Sequence, residues 1–300
     1  MNKELLRLAL MIPQILDFDT KRIIWKVELK RLQQKYKNEN FSFNIRREHT
    51  FQDSYASMFA LSAKQWRGKM TVTFQGEDGI DGGGLFKEWL SNLSKDFFNE
   101  DMALFIKSAQ GATYYPNLKS TVQPNYIDMF TYIGKVFGKA LWDLQLLDCY
   151  FVKAFYKIIL GIPLSYHDLE DYDPELYKSL SWILNNQGVD MLSSYFVETV
   201  EYFGEQKEIE LCEGGKDKLV TDENKWEYVQ FVTNYRLYKG LAPQIDAFLK
   251  GLYFVVPKDL LKLFDSMELE LLISGLQNID IDDLRENTVY DNYTATSKPI

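Results

Sequence analysis

Apolar residues recur every three or four positions along most of the chain, the spacing of helices that bury one face. The strongest such run is residues 125–161, with Phe130, Ile133 and Phe137 among its apolar positions. Polar residues with Gly or Pro separate the runs, as expected between helices. The pattern predicts helices at about 1–37 with a break at Pro13, 50–60, 85–98, 125–161, 176–184, 222–238, 243–254, 257–264 and 267–274.

Strict alternation of apolar and polar residues, typical of half-buried strands, is confined to short segments. Phe41, Phe43 and Ile45 alternate in this way, and residues 70–74 do so again. A further alternating piece at 208–212 is followed by two glycines that favour a turn. The fold class is therefore predicted to be α+β and mainly helical, with a small α/β insertion near 166–240.

A glycine-rich turn at residues 76–84 joins the second predicted strand to a helix. Such turns can bind phosphate through backbone N–H groups. The spacing does not fit a nucleotide loop, because Leu85 stands where a lysine is needed, and Glu77, Asp78 and Asp81 would repel phosphate. The interpretation is structural: the glycines supply positive φ and close packing, with Asp81 near the start of the helix.

Two further features concern helix packing. Gly134 and Gly138 lie four residues apart on one helix face, which allows another backbone to approach closely. The helix predicted at 222–238, with Thr221 or Asp222 as its N-cap, carries apolar residues on nearly every side. Either the main body covers part of this helix, or an apolar groove remains for a partner.

Composition and charge mainly exclude classes of function. The formal net charge of −9 argues against binding nucleic acid or anionic membranes. No window reaches the roughly 18 apolar residues of a membrane span, and the best candidate, residues 150–164, is interrupted by Lys153 and Lys157. Residues 1–16 carry charges among their leucines and lack a cleavage site, so an amphipathic helix is favoured over a signal peptide.

The chain offers little catalytic chemistry of its own. Cys149 lies in an apolar run and is expected to be buried and inert, while acidic neighbours of Cys212 would raise the pKa of its thiol. Two cysteines cannot form a disulfide framework, and low cysteine use suits a reducing compartment. His49 and His167 are the only histidines, and the acidic residues after His167 lack EF-hand spacing, so a solvated loop is favoured over a calcium site. No metal or cofactor is expected.

Several blocks of the sequence, taken together, resemble the HECT domain of ubiquitin ligases. Each block has low specificity alone, but their common order is specific, and the likeness runs from about residue 13 to the end. The run at 279–284 is most similar to the very large ligases of the Mule type. The blocks are residues 17–18 with 21–22, RREH at 46–49 with 53–55, FQGEDGIDGGGLFKEW at 74–89, 147–148 with 155–157, and 268–275.

The resemblance implies that the chain is the N-lobe of such a domain. Residues 1–165 and 241–286 would form a large helical subdomain, with a small α/β subdomain at 166–240 inserted in it. Residues 287–300 would contain the interlobe hinge and the start of the C-lobe. The chain ends at Ile300 without the family's His-Thr-Cys motif, so no catalytic residue is expected in it. The chain alone would be inactive, while its parent would be a ubiquitin-protein transferase. The hinge would comprise Tyr290, Asp291, Asn292 and Tyr293.

Two binding sites are implied by the same resemblance. The small subdomain would bind a ubiquitin-conjugating enzyme, although Asn186 and Val232 depart from the residues found in some members of the family. The large subdomain would offer a second, noncovalent site for ubiquitin. The residues carried over for the conjugating enzyme are Leu176, Ser179, Leu180, Ile183, Tyr228 and Val232, and those for the ubiquitin exosite are Met102, Leu104 and Phe105.

The expected partners are thus a conjugating enzyme, ubiquitin, and protein substrates selected by regions outside this chain. The family works inside the cell, so a cytoplasmic location is expected, with the nucleus as an alternative. A different class of function is a non-catalytic module that binds a conjugating enzyme or ubiquitin. A helical scaffold would show internal repeats, and the sequence has none.

Overall fold

The computed structural model describes residues 10–275, except 78–82, 110, 112 and 203. The hinge predicted at 290–293, the run at 279–284 and Asp81 therefore lie outside the described residues. The helices are α1 (Phe18–Gln33), α2 (Thr50–Met58), α3 (Ala63–Arg67), α4 (Gly84–Phe97), α5 (Tyr126–Trp142), α6 (Lys153–Leu160), α7 (Pro174–Asn185), α8 (Lys225–Leu237), α9 (Ala242–Val255), α10 (Lys258–Leu261) and α11 (Ser266–Ser274). The strands are β1 (Asn40–Ile45), β2 (Lys69–Phe74), β3 (Phe105–Lys107), β4 (Tyr114–Pro116), β5 (Val197–Tyr202) and β6 (Glu205–Glu210).

The mainly helical α+β prediction is confirmed, with three separate two-stranded sheets among the described residues. The run at 125–161 was predicted as one helical stretch, but it forms α5 and α6. Between them the chain turns through Leu144, which has φ +57°, and Phe151 forms a β-bridge with Tyr114. Apolar periodicity continues across the break because both helices bury one face in the same core.

Helices α5 and α9 form the centre of the fold, and glycines on both sides bring their backbones together. A Cβ on Gly138 would lie 2.8 Å from the carbonyl oxygen of Leu252, and one on Gly134 would lie 2.9 Å from the Leu252 nitrogen. Gly251 faces α5 in the same way, 2.8 Å from the Lys135 nitrogen. The close approach predicted at Gly134 and Gly138 is confirmed. On the α9 side the contact uses Gly251, which the apolar periodicity had not indicated.

The residues of the family-like blocks are joined by polar contacts around the parallel pair β1–β2. Arg47 donates to Glu77 at 2.8 Å and to Glu88 at 2.5 Å, linking the end of β1 to the segment after β2 and to α4. Trp89 of α4 donates its indole N–H to Ser54 of α2 at 2.8 Å. Gly83 at the start of α4 has φ +99°, so the predicted need for positive φ in this turn is confirmed. The predicted close packing is wrong for Gly76, Gly83 and Gly84, because a Cβ built on each of them meets no described atom within 4 Å.

Residues 166–240 contain α7, α8 and the antiparallel hairpin β5–β6. Tyr115 of β4 donates its hydroxyl to the carbonyl of Leu237 at the end of α8, and its ring lies 4.8 Å from that of Tyr172. These contacts attach the segment to the helical body. We call residues 166–240 the small subdomain, with the bounds that the resemblance implies.

Candidate docking site on the small subdomain

Helix α7 begins where the sequence places a capping residue and a proline. The Asp173 carboxylate accepts the backbone N–H of Leu176 at 3.1 Å, and Pro174 occupies the first helical turn, where it needs no N–H partner. The apolar stripe of α7 then packs against α8. Leu180 and Ile183 are only 2% and 8% exposed, and Val232 of α8 is 1% exposed.

This burial changes the interpretation of the six residues carried over for the conjugating enzyme. Leu180, Ile183 and Val232 form the core between α7 and α8, so they offer almost no surface to a partner. Leu176 and Tyr228 are half-buried, and only Ser179 is exposed, with its hydroxyl donating to the Glu175 carbonyl at 3.0 Å. The apolar stripe of α7 was predicted correctly, but its residues face α8 rather than solvent.

Four large apolar side chains within residues 182–195 are exposed instead, and we call them the 182–195 patch. Met191 is 86% exposed, the highest value among the large apolar side chains described. A fully buried residue, Val189, lies two positions before it and anchors the loop. Sequence reasoning missed the patch because a methionine and a leucine in a short loop carry no periodicity. The patch consists of Trp182 (49% exposed), Met191, Leu192 (48%) and Tyr195 (40%).

The loop that presents the patch is held by the N-terminal end of α8. The Asp222 carboxylate accepts the backbone N–H of Gly188 at 2.7 Å, and Lys225 donates to the carbonyl of Asn186 at 2.5 Å. Thr221 or Asp222 was predicted as the N-cap of α8, and this is wrong: the N-cap is Asn224 and the helix starts at Lys225, while the Asp222 side chain is engaged by the loop. The Gly188 N–H lowers the pKa of Asp222 by stabilising its charged form.

We expect Asp222→Ala to loosen the 182–195 patch without unfolding the domain. Loss of the carboxylate leaves the Gly188 and Val189 amides without their acceptor, so both should exchange hydrogen faster at neutral pH. Amide hydrogen exchange measures this directly, with the exposed neighbour Glu223→Ala as the control that should change nothing.

The same contact predicts a pH dependence. Because the pKa of Asp222 is lowered in the folded state, the stabilisation is present at neutral pH and is lost as the pH falls below about 4. Acidification should move the Met191 methyl resonance of the wild-type chain towards its position in Asp222→Ala. A Met191 resonance that is identical in the two proteins at every pH would contradict the anchoring role.

The small subdomain also carries the negative charge of the chain. Residues 166–240 contain sixteen Asp and Glu against seven Lys and Arg, while the remainder contains 27 of each, so the segment accounts for the whole net charge of −9. Part of this charge is neutralised by ion pairs, as between Glu198 and Arg236 at 3.0 Å. Asp190 is exposed and directly precedes Met191 of the patch. The surface around the patch therefore favours a partner with basic side chains.

Cys149 does not stand in a setting that activates a thiol. Cys149 is 2% exposed, and burial raises the pKa of its thiol far above the ordinary value, as the sequence predicted. Its backbone carbonyl accepts the hydroxyl of Ser274. Cys212 is half-buried at the end of β6 and packs against the apolar core.

The residues carried over for the ubiquitin exosite are mostly interior. Leu104 is fully buried and Phe105 is 4% exposed, with its ring 5.0 Å from Phe98 and 5.3 Å from Phe130. Met102 is half-buried, so it is the member of the set that a partner could reach. The next residue of β3, Ile106, is 47% exposed and was not among those predicted.

Metal and membrane sites find no support in the part of the chain that the structure describes. Within it, no three His, Cys, Asp or Glu side chains are grouped closely enough to hold an ion. In the acidic loop after His167, Asp168 pairs with Lys157 at 2.6 Å and Asp173 caps α7. None of the described helices combines the length and the apolar character that crossing a bilayer requires.

Comparison of the sequence with known proteins shows the family to which the chain belongs. The sequence profile described as HECT-domain (ubiquitin-transferase) matches residues 91–300. The E3 ubiquitin-protein ligase TOM1 of Saccharomyces cerevisiae is 43% identical over 290 residues, covering 96% of this chain and 9% of TOM1. HUWE1 of Mus musculus is 40% identical over 289 residues, covering 95% of this chain and 6% of that protein. UPL1 of Arabidopsis thaliana is 39% identical over 302 residues, covering 98% of this chain and 8% of UPL1.

The chain therefore belongs to the HECT-domain family, and its similarity to very large ligases of the Mule type, HUWE1 among them, is confirmed. It spans less than a tenth of the length of the curated relatives named above.

Proposed function

We propose that this chain acts within a HECT-type ubiquitin ligase by recruiting a ubiquitin-charged conjugating enzyme through the 182–195 patch. The observation that carries the proposal is the patch itself, an exposed apolar surface on the acidic small subdomain of a HECT-family chain. Residues with large apolar and aromatic side chains dominate binding when a partner excludes water from them.

The anchoring of the patch favours docking over a structural role. The Asp222 and Lys225 contacts fix the loop before any partner arrives, which lowers the conformational entropy lost on binding. Next to Tyr195 of the patch, Phe196 is fully buried and packs edge to face against Tyr228, with the ring centroids 5.4 Å apart. A conjugating enzyme with an apolar loop surrounded by basic side chains complements this surface in polarity and charge.

The chemical steps are assigned to another part of the parent ligase. A thiolate there attacks the carbonyl carbon of the thioester that links ubiquitin to the conjugating enzyme. The new thioester forms as the conjugating enzyme's thiolate leaves, and a substrate lysine amine then displaces the ligase thiolate. Buried Cys149 does not suit the attacking role, because its thiol remains protonated. The contribution of this chain is to position the thioester.

The test is a titration with conjugating enzymes loaded with ubiquitin through a stable oxyester. We expect the double substitution Met191→Ala with Leu192→Ala to weaken binding about tenfold or more, because truncation of central apolar contacts commonly has this effect. Met267→Ala is the matched control, since Met267 is 65% exposed but lies on α11. The control should bind as the wild type does.

Two results would overturn the proposal. If no member of a broad panel of conjugating enzymes bound the wild-type chain, recruitment would be excluded. If one bound equally to the wild type and to the double variant, docking would have to occur elsewhere. Binding by the intact chain, with no ubiquitin transfer after the rest of the parent protein is added, would instead favour the non-catalytic module.

A further inference from the structure

A cavity of about 920 Å³ lies beside α8, where the chain passes from α6 into the small subdomain. One wall is the segment from Gly161 to His167, and the opposite wall comes from Trp226, Gln230 and Asn234 of α8. Its size is within the range of ligand-binding clefts. None of the four residues of the 182–195 patch lines this cavity, so the two surfaces are separate.

The first wall offers backbone groups that have no partner. Residues 162–165 form neither helix nor strand, and the backbone at Ser165 is extended, with φ −129° and ψ 162°. The Leu164 N–H and the carbonyls of Ile162 and Leu164 make no hydrogen bond within the described residues. Backbone N–H and C=O groups without partners are available to pair with the main chain of an extended peptide.

The second wall offers side-chain amides and an aromatic surface. Gln230 and Asn234 are one helical turn apart, and neither amide has a hydrogen-bond partner in the described part of the chain. Each can donate to a carbonyl and accept from an N–H. Trp226 is 58% exposed, and its ring lies 6.3 Å from that of Tyr166 on the opposite wall.

The cavity wall also carries a cation, Lys258, whose neighbour in sequence, Asp259, is paired with Lys262 at 2.7 Å. Lys258 lines the cavity from the start of α10, and among the described residues it forms no ion pair. Its ammonium lies 5.2 Å from the ring centroid of Tyr253, which holds it near the wall. Buried at the same cavity, Thr233 is 3% exposed and its hydroxyl has no partner in the described structure.

We infer that this cavity binds an extended peptide segment that carries a carboxylate. The peptide backbone pairs with Ile162 and Leu164 on one side and with the amides of Gln230 and Asn234 on the other. Trp226 and Tyr166, whose rings pack edge to face, offer an apolar surface to one peptide side chain, and Lys258 receives the carboxylate. Backbone groups without partners favour a peptide over a small molecule at this site, because an added extended segment binds mainly through main-chain hydrogen bonds.

The probe is a library of random eight-residue peptides displayed on phage. Peptides that bind the wild-type chain are kept, and those that also bind the Trp226→Ala variant are removed. Recovered peptides should contain Asp, Glu or a free C-terminus. Their affinity should fall about tenfold or more in the Gln230→Ala, Asn234→Ala double variant and in Lys258→Glu. Met267→Ala is the control and should not change the affinity, since Met267 is 65% exposed on α11 and does not line the cavity.

Hydrogen exchange separates strand pairing from simple adhesion to the aromatic rings. A bound peptide should slow the exchange of the Leu164 amide, which has no acceptor in the free chain. The inference is overturned if selection yields no peptide sensitive to Trp226→Ala. It is also overturned if recovered peptides show no carboxylate preference or leave the Leu164 amide unprotected.

Discussion

Gly251→Ala should destabilise the domain by about 3 kcal/mol or more, a large share of the 5–15 kcal/mol that holds a typical domain together. The added methyl group would lie 2.8 Å from the backbone nitrogen of Lys135, and closer still to the carbonyl oxygen of Thr131. Both are backbone atoms of α5, so relief requires α5 and α9 to separate along the centre of the core. Urea denaturation measures the loss.

Gly84→Ala is the matched control for this effect. Gly84 begins α4, and a Cβ built on it meets no described atom within 4 Å. Alanine favours the helix over glycine by up to about 1 kcal/mol, so this variant should be as stable as the wild type or slightly more so. Equal stability of the Gly251 and Gly84 variants would contradict the close contact of the two helices.

Leu180→Ala should cost about 2–5 kcal/mol, the range for a leucine truncated in a well-packed core. Leu180 is 2% exposed between α7 and α8, so the cavity left behind removes the contact that joins the two helices. The expected readouts are a lower urea midpoint and faster amide exchange in both helices. Ser179→Ala, the exposed neighbour, should leave stability unchanged within about 0.5 kcal/mol.

Leu180→Ala also distinguishes a packing role for Leu180 from a direct contact with the conjugating enzyme. The resemblance implied a residue in contact with the conjugating enzyme, whereas the structure buries it. If Leu180→Ala weakened binding while its urea midpoint and exchange rates matched those of the wild type, Leu180 would have to be accessible to the partner, and the packing described here would be wrong.

Much of the fold could be predicted from periodicity alone, because helices that bury one face repeat their apolar positions. The stripe containing Leu180 and Ile183 was recognised in this way, as was the close approach at Gly134 and Gly138. These features depend on the local spacing of residues. The sequence contains that spacing whatever the rest of the chain does.

The candidate site was harder to predict, because exposure depends on what packs against each side of a helix. Helix α8 is apolar nearly all round, yet Val229 is 1% exposed and Trp226 is 58% exposed. No spacing rule distinguishes the two positions. Met191 lies in a loop whose shape depends on the distant Asp222, and such contacts have no signature in a single sequence.

The methyl resonances of the methionines offer the most direct test of docking. Met191 is 86% exposed in the patch, Met267 is 65% exposed elsewhere, and half-buried Met102 is the accessible residue of the suggested ubiquitin exosite. Chain labelled with carbon-13 at the methionine methyl groups is titrated with an oxyester-linked conjugating enzyme and ubiquitin. Substitution of each methionine by leucine assigns its resonance.

Docking through the 182–195 patch predicts that the Met191 resonance shifts or broadens on titration while that of Met267 stays fixed. A change at Met102 that requires the ubiquitin moiety would add the exosite to the proposal. A Met191 resonance that remains unchanged at saturation, with binding shown by the diffusion rate of the complex, would contradict recruitment through this surface.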